Sequence, residues 1–253
     1  MIRATLAVVV MGCMLSACAT TPPPCKCPEF NQALAQDPKT MTVAEKKKID
    51  LEVLLDSIVQ IKVKVSEKMR AGKLEESFEY GTGFFINERG LILTSAHVLS
   101  VVDDARGITV YHAGRPLQAR PLKVYREVDL ATLLVDAGKT KPLEFATSAP
   151  RLGEQVYAVG FPYVDVFSDS KPAVSVGHVA GSDREILYEG QSVKDLLLTD
   201  AFVADGCSGG PLINEDGQVL GVLRFNLARK GSWLGLSFAE PIKSYLKHKG
   251  AAQ

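Results

Sequence analysis

The chain has 253 residues, 46% of them hydrophobic, and a formal net charge of zero at pH 7. This size and composition can bury the core of one or two globular domains. The balanced charge and the lack of a long basic run argue against nucleic acid as a partner. We expect neither a metal site nor a cofactor.

The first residues have the pattern of a secretory signal. A positive start, Met1–Arg3, precedes an apolar run, Ala4–Leu15, that is too short to span a bilayer comfortably. The sequence therefore predicts a signal peptide over residues 1–17. The proline run Pro22–Pro24 then predicts a stiff, extended tether over residues 18–40.

The apolar run ends in Leu15-Ser16-Ala17-Cys18, which resembles the lipobox of bacterial lipoproteins. The resemblance implies cleavage before Cys18, which would then carry the acyl chains of a stable membrane anchor. Ala19 resembles the residue of lipoproteins sent to the outer membrane, so we expect the protein in the bacterial cell envelope, facing the periplasm. A plain signal peptide and a chance cysteine are the alternatives, and Cys13 has flanks that fit a lipobox less well.

A short helix and a strand follow the tether. Thr42 and Glu45 have the spacing of a capping box, and apolar residues at helical spacing follow it. The period changes to two over Val59–Val65, which predicts a half-buried strand. The charged stretch Glu67–Ser77 reads as a mobile loop.

Short strand patterns separated by turn residues dominate the remainder. They fall at Gly83–Ile86, Leu91–Thr94, Ile108–His112, Leu130–Val135, Val156–Gly160, Ala173–Val179, Leu196–Thr199, Leu212–Asn214, Val219–Phe225 and Leu234–Phe238. A final helix is expected at Pro241–Lys247. The fold class is therefore all-β, a sandwich or barrels.

One glycine-rich stretch, Gly-Cys-Ser-Gly-Gly-Pro-Leu over residues 206–212, carries a candidate nucleophile. Ser208 lies between glycines, which allow a tight turn and let a substrate approach bare backbone. Backbone N–H groups in such a turn can face a developing oxyanion. Serine with glycines is also an ordinary turn, so the stretch needs a base and an orienting acid elsewhere in the chain.

His97 is the best candidate for the base, because it follows directly where the apolar strand Leu91–Thr94 ends. The other histidines, His112, His178 and His248, fall at a turn, inside a strand pattern and in the charged tail. Asp129 leads into an apolar strand and is the best orienting acid. Glu127 and Asp136 have fewer apolar neighbours in sequence.

The order His97, Asp129, Ser208 is that of the chymotrypsin-like triad. Five sequence blocks resemble those of HtrA-type trypsin-like serine proteases. They are Gly81–Phe84, Thr94–Val98, Asp129–Ala131, Thr199–Ala201 and Gly206–Leu212. The resemblance implies a protease domain over residues 41–253 with two six-stranded antiparallel barrels, at about 57–140 and about 150–240, and the site in the cleft between them.

The resemblance also implies residue roles. Ser208 would attack a peptide carbonyl, His97 would take up and return the proton, and Asp129 would hold His97. The backbone N–H groups of Gly206 and Ser208 would form the oxyanion hole. The expected activity is that of a serine endopeptidase on protein or peptide substrates in the envelope.

Primary specificity is expected from a floor at Phe202 and a wall formed by Leu223, Arg224 and Phe225. No carboxylate stands at Phe202, where trypsin has the acid that selects basic residues. We therefore expect cleavage after small or medium aliphatic residues. The chain ends at Gln253, so the PDZ domain usual in HtrA-type proteins is not expected, and a homo-oligomer is left open.

Cys207 departs from the family, in which trypsins carry aspartate and HtrA-type proteases usually asparagine. Cys207 as the nucleophile is one alternative that this residue raises. A second alternative is a trypsin-like fold that binds protein partners without cutting them. An α/β-hydrolase elbow also matches the glycine pattern, but helices between the strands are missing and only His248 follows the serine.

Overall fold

The computed structural model describes residues 49–70, 73–99, 107–164, 166–167, 171–188, 190–229 and 232–250. The signal peptide, Cys18, the tether and the capping box at Thr42 and Glu45 lie outside these residues. Within the described ranges, no helix is long and apolar enough to cross a membrane.

Twelve strands and two α-helices make up the described chain. The first six strands are β1 (Ile58–Arg70), β2 (Lys73–Phe85), β3 (Leu91–Ser95), β4 (Ile108–His112), β5 (Arg115–Tyr125) and β6 (Leu130–Val135). The second six are β7 (Gln155–Gly160), β8 (Ala173–Tyr188), β9 (Gln191–Thr199), β10 (Pro211–Asn214), β11 (Val219–Arg229) and β12 (Ser232–Pro241). Helix α1 spans Leu51–Leu55 and helix α2 spans Ile242–Gly250.

Each half of the chain closes into an antiparallel six-stranded barrel. The strand order is β1-β2-β3-β6-β5-β4 in the first barrel and β10-β11-β12-β9-β8-β7 in the second. Closure pairs the last strand of each order with the first, β4 with β1 and β7 with β10. Closure removes unpaired sheet edges. The predicted fold class, all-β with two six-stranded barrels, is confirmed.

The period-two pattern of β1 places alternate residues inside the first barrel. Val59, Ile61 and Val63 are completely buried there, together with Phe85 and Leu133 of other strands of the barrel. The strand predicted from this alternation is confirmed. In the short helix that precedes it, the side chain of Asp50 caps the N-terminus of α1 by accepting the N–H of Val53. Helix and strand thus follow one another as the change of period predicts.

A separate apolar cluster joins the two barrels. It contains Phe84 and Leu93 of the first barrel, Val159 and Ile213 of the second, and Tyr245 of α2. These side chains are buried. The seam between the barrels is therefore a packed core, which fixes the walls of the cleft above it.

The prediction of a mobile loop over Glu67–Ser77 is wrong for its flanks. Strand β1 continues to Arg70 and β2 begins at Lys73, so that Glu67 pairs with Glu76 in register. Most residues of this stretch are charged or polar in the sequence, so it shows no apolar alternation to detect. Lys64 and Glu76 form a 2.7 Å ion pair on this hairpin.

Candidate active site

The loop after β3 carries His97. A single 3₁₀ turn, Ala96–Leu99, begins where β3 ends at Ser95, and Ala96, Val98 and Leu99 of the turn are buried. His97 is the exposed member of this turn. Three buried neighbours therefore anchor the backbone while the imidazole faces the cleft.

Asp129 orients His97 through both oxygens of its carboxylate. Oδ1 accepts the backbone N–H of His97 at 2.8 Å, and Oδ2 lies 2.8 Å from the imidazole Nδ1. Asp129 itself adopts a left-handed conformation with φ of 51°, and its carbonyl accepts the N–H of Ala96 at 2.9 Å. A proton on Nδ1 shared with Asp129 leaves Nε2 as the basic nitrogen of a neutral imidazole.

The environment keeps Asp129 ionised. Burial alone would raise the pKa of this carboxyl group. The hydrogen bond and charge of His97, together with the charge of Arg224, outweigh burial, so the net pKa is lowered. An ionised Asp129 can stabilise an imidazolium on His97.

Ser208 lies in a loop with two glycine positions, Gly206 and Gly209, that cannot accommodate a side chain. Gly206 and Gly209 have φ of 92° and 87°. A Cβ on Gly206 would collide with the carbonyl oxygen of Phe161, and one on Gly209 would collide with Thr94 and Thr82. The glycines flanking Ser208 are thus required both by backbone conformation and by close approach of other chain segments.

The hydroxyl of Ser208 donates a hydrogen bond to the backbone carbonyl of Arg224, at 2.8 Å. A serine hydroxyl carries a single proton. In this rotamer the proton that a base would take therefore points at Arg224. His97, Asp129, Ser208 and Arg224 line one cleft.

Hydrogen bonds to their carbonyl groups fix the two peptide planes whose N–H groups belong to Gly206 and Ser208. The carbonyl of Asp205 accepts the N–H of Tyr163 at 2.9 Å, and the carbonyl of Cys207 accepts the N–H of Gly210 at 2.9 Å. In a trans peptide the carbonyl and the next N–H point in opposite directions. The N–H groups of Gly206 and Ser208, the two predicted oxyanion donors, are oriented by these bonds.

Cys207 is buried and packs against the backbone of Gly160. Burial raises the pKa of its thiol to about 11. The thiolate, which is the nucleophilic form of cysteine, is therefore disfavoured at neutral pH. The geometry supports Ser208 rather than Cys207 as the nucleophile.

The cleft has a volume of about 720 Å³. Of the four predicted specificity residues, Arg224 and Phe225 line it. Leu223 is completely buried in the barrel core. Phe202 packs edge-on against Trp233, with ring centroids 5.0 Å apart. Phe202 is not among the lining residues, whereas Val203, the residue after it, lines the cleft.

The hairpin of β8 and β9 contributes residues that the sequence did not single out. Tyr188, Gln191 and Val193 line the cleft, and so does Asp205 of the nucleophile loop. Tyr188 stacks on Phe225 with centroids 4.3 Å apart and an interplanar angle of 7°. The hairpin residues reach the site through contacts with residues distant in the sequence, such as Phe225, so no local motif could reveal them.

The other histidines lie away from Ser208. His112 Nε2 is 3.0 Å from the carbonyl oxygen of Asp56, His178 pairs with Asp200, and His248 Nδ1 lies 2.7 Å from the carbonyl of Ser244. In the part of the chain that the structure describes, no group of three or more His, Cys, Asp or Glu side chains could hold a metal ion.

Two closed six-stranded barrels with a histidine, an aspartate and a glycine-flanked serine in one cleft define the trypsin-like class of fold and site. The Trypsin-like peptidase domain family matches residues 81–222. The chain belongs to this family.

Several curated proteins are similar to the chain. A "Probable periplasmic serine endoprotease DegP-like" of Halomonas elongata is 33% identical over 172 residues, which are 68% of this chain and 34% of that protein. Serine protease HTRA3 of Rattus norvegicus is 35% identical over 169 residues, 64% of this chain and 35% of that protein. The chain thus spans about one third of the length of the curated relatives it matches.

Among solved structures, the active form of the Rv3671c protease from M. tuberculosis has a TM-score of 0.63 and 25% sequence identity to the chain. The similarity covers 78% of this chain and 81% of that one. The inactive form of the same protease has a TM-score of 0.62 at 22% identity, over 79% and 91% of the two chains. At 22% identity, the likeness to the inactive form is evidence of a shared fold alone.

Proposed function

We propose that the protein is an HtrA-type serine endopeptidase that cleaves peptide bonds through an acyl-enzyme on Ser208. The observation that carries the proposal is the double contact of Asp129 with His97, through the backbone N–H and through Nδ1, both at 2.8 Å. Such contacts fix the tautomer and the ring orientation of a catalytic base. Ser208 and His97 share one cleft, and the relatives are named as a probable serine endoprotease and a serine protease.

The reaction begins when the Ser208 hydroxyl rotates from the Arg224 carbonyl towards Nε2 of His97. Oγ attacks the substrate carbonyl, His97 takes the proton, and Asp129 stabilises the imidazolium. The N–H groups of Gly206 and Ser208 bind the oxyanion. His97 then returns the proton to the leaving amine, and water hydrolyses the acyl-enzyme by the reverse sequence of transfers.

The place of action follows from the N-terminal pattern and from the relatives. We propose that Cys18 carries a lipid, that the protein works on the outer membrane facing the periplasm, and that its substrates are envelope proteins or peptides. The DegP-like relatives are named as periplasmic, which supports this compartment. A Cys18→Ala variant should leave the membrane fraction, and its retention there would contradict the lipid anchor.

Labelling of the full chain with a fluorophosphonate tests the nucleophile. The probe should attach to Ser208 and stop peptide hydrolysis. Ser208→Ala should lose both labelling and hydrolysis, while Ser148→Ala, at an exposed serine between the barrels, should keep both. Hydrolysis that persists in a folded Ser208→Ala variant would refute the assignment.

A protein-binding role without catalysis is the second candidate. The rotamer of Ser208, which donates to Arg224, and the cysteine at position 207 favour it. The same experiment separates the two functions. Absence of labelling in a folded wild-type chain would favour the binding role.

A further inference from the structure

Glu240 is a buried acid close to the triad. It lies near the end of β12, next to the start of α2, and its side chain is only 3% exposed. Its Oε2 is 3.2 Å from Nη1 of Arg224, and Ser244 of α2 also favours the charged form of the carboxyl group. A carboxylate withdrawn from water needs such partners to remain charged.

Arg224 connects Glu240 with both ends of the proposed triad. Its Nε donates to Oδ2 of Asp129 at 2.9 Å, and its backbone carbonyl accepts the hydroxyl of Ser208 at 2.8 Å. The side chain of Arg224 is 13% exposed, so water screens its charge poorly. The guanidinium therefore lies between two carboxylates, those of Asp129 and Glu240.

The oxygen of Asp129 that Arg224 contacts is also the one next to Nδ1 of His97. A cation on this oxygen reduces the negative potential at the imidazole. It thereby weakens the support that Asp129 gives to the imidazolium of the transition state. A second carboxylate on the far side of the cation offsets this effect.

We propose that Glu240 is a positioning residue that acts through Arg224: its carboxylate holds the guanidinium and offsets its charge, so that Asp129 stabilises the His97 imidazolium. The inference rests on the proposed function, because it concerns the step in which His97 takes the proton of Ser208. It identifies a residue of the reaction that does not touch the substrate.

Other charged groups face Glu240 and Arg224 from a hollow on the side of α2. This hollow is lined by Arg126 and Glu127 of the 3₁₀ turn before Asp129, Lys194 and Asp195 of β9, and Lys243, Lys247 and His248 of α2. They carry both signs, and all but the half-buried His248 are exposed. Water and salt screen them, whereas the three buried groups in line interact strongly.

Glu240 changes charge in the neutral range. Burial raises the pKa of its carboxyl group to about 7, against the lowering effect of Ser244 and Arg224. Glu240→Gln keeps the shape of the side chain and imitates its protonated form at every pH. The variant should therefore match the wild type at low pH and fall behind it at high pH.

The test measures kcat/KM of the full chain between about pH 5 and pH 9 on one peptide substrate. The ratio of wild type to Glu240→Gln should be near one at the acid end. It should rise to about three- to tenfold at the alkaline end, with its midpoint near neutrality. Glu88→Gln is the matched control, since Glu88 is an exposed acid with one lysine partner, Lys139, at 3.5 Å. Its ratio should stay near one throughout.

A second comparison shows whether Glu240 acts through Arg224. In an Arg224→Gln background, adding Glu240→Gln should change kcat/KM little at any pH. The ratio of kcat/KM between Arg224→Gln and the double variant should therefore stay near one and not rise with pH. This comparison also decides the matter if Glu240→Gln alone does not fold. If this ratio still rises with pH when Arg224 is glutamine, Glu240 does not act through Arg224 and the inference is overturned.

The outcomes separate the inference from the proposed function. A ratio that is constant with pH, whatever its size, indicates a structural role for Glu240 and overturns the inference alone. A wild-type chain that neither hydrolyses peptides nor labels at Ser208 overturns the proposed function, and the inference with it.

Discussion

Tyr163 holds the carbonyl of Asp205 with its backbone N–H, at 2.9 Å. Tyr163 has a φ of 46°, an uncommon conformation for a residue with a side chain. The bond fixes the peptide plane whose N–H belongs to Gly206. One strained residue of the loop after β7 thus determines the direction of a proposed oxyanion donor.

Gly206→Ala should therefore lower kcat by about 10²- to 10³-fold, the usual cost of one oxyanion donor. The new Cβ would collide with the Phe161 carbonyl and turn the peptide. Gly114→Ala is the control: its φ is 75°, but nothing lies within 4 Å of the new Cβ. It should keep full kcat. Equal activity of the two variants would contradict the oxyanion assignment.

Asp129→Asn should reduce kcat by about four orders of magnitude while the chain still folds. The amide keeps the shape of the carboxylate but loses the charge and favours the wrong imidazole tautomer. Asp136→Asn, at an exposed acid after β6, should be active. Steady-state kinetics will measure kcat of both variants, and circular dichroism will verify that each is folded. A decrease of less than about tenfold would remove Asp129 from the triad.

Cys207 should resist alkylation in the folded chain. Its thiol is buried, with a pKa of about 11, so iodoacetamide at pH 8 should leave the peptide containing Cys207 unmodified by mass spectrometry. Cys207→Ala should change kcat/KM by less than about threefold, because a small buried side chain is removed. A folded Cys207→Ala variant that is inactive, together with a Ser208→Ala variant that is active, would make Cys207 the nucleophile instead.

The raised pKa of Glu240 makes stability depend on pH in a defined direction. The folded value, about 7, exceeds the ordinary 4.5, so folding favours the protonated acid. This contribution is fully present below about pH 4.5 and is lost as pH rises through about 7. It is worth at most about 3 to 4 kcal/mol, taking about 1.4 kcal/mol for each unit of pKa between 4.5 and about 7.

Urea unfolding at pH 5 and pH 8, in a Ser208→Ala background that prevents autolysis, measures this effect. Glu240→Gln should lose less stability than its parent between the two pH values, because it has no proton to release. Glu88→Gln should behave like the parent. Asp129 has the opposite sign, since its lowered pKa makes stability fall on acidification below its ordinary 3.8.

The residue selected at the cut should be small or medium and aliphatic. Val203, Ala204 and Asn226 line the cleft, none of them carries a charge, and the hydrogen bond of Asn226 to the Val203 carbonyl at 2.9 Å fixes Asn226 in place. A fluorogenic panel that varies this position in the substrate will measure kcat/KM. Arginine as the best residue would contradict the prediction and would implicate the carboxylate of Asp205.

The sequence predicted those elements in which local pattern and tertiary environment agree. Alternation in β1 marked a strand because one face is buried, and His97 stood out because an apolar strand ends just before it. Strand β5 was not predicted. Its residues are mostly exposed and include Pro116 and Pro121, so they show no alternation, although β4 and β6 pair with it on both sides.

The site was predicted only where its residues lie in short motifs. Glu240 lies near the end of a strand and belongs to no motif, and Tyr188 reaches the cleft through a long hairpin. Arg224 was expected in the substrate wall, but its contacts with Asp129 and Glu240 depend on a side chain turned towards the first barrel. Pairings over such sequence distances leave no local signal.

Two hydrogen bonds of Thr82 connect the first barrel to the loop that contains Ser208. This buried residue of the first barrel donates its backbone N–H to the Ser208 carbonyl at 2.8 Å and its hydroxyl to the Gly206 carbonyl at 2.7 Å. The serine loop of the second barrel is therefore shaped by a residue synthesised long before it. Neither half of the chain holds the proposed arrangement on its own, so the proposed proteolysis would begin only after the two barrels have docked.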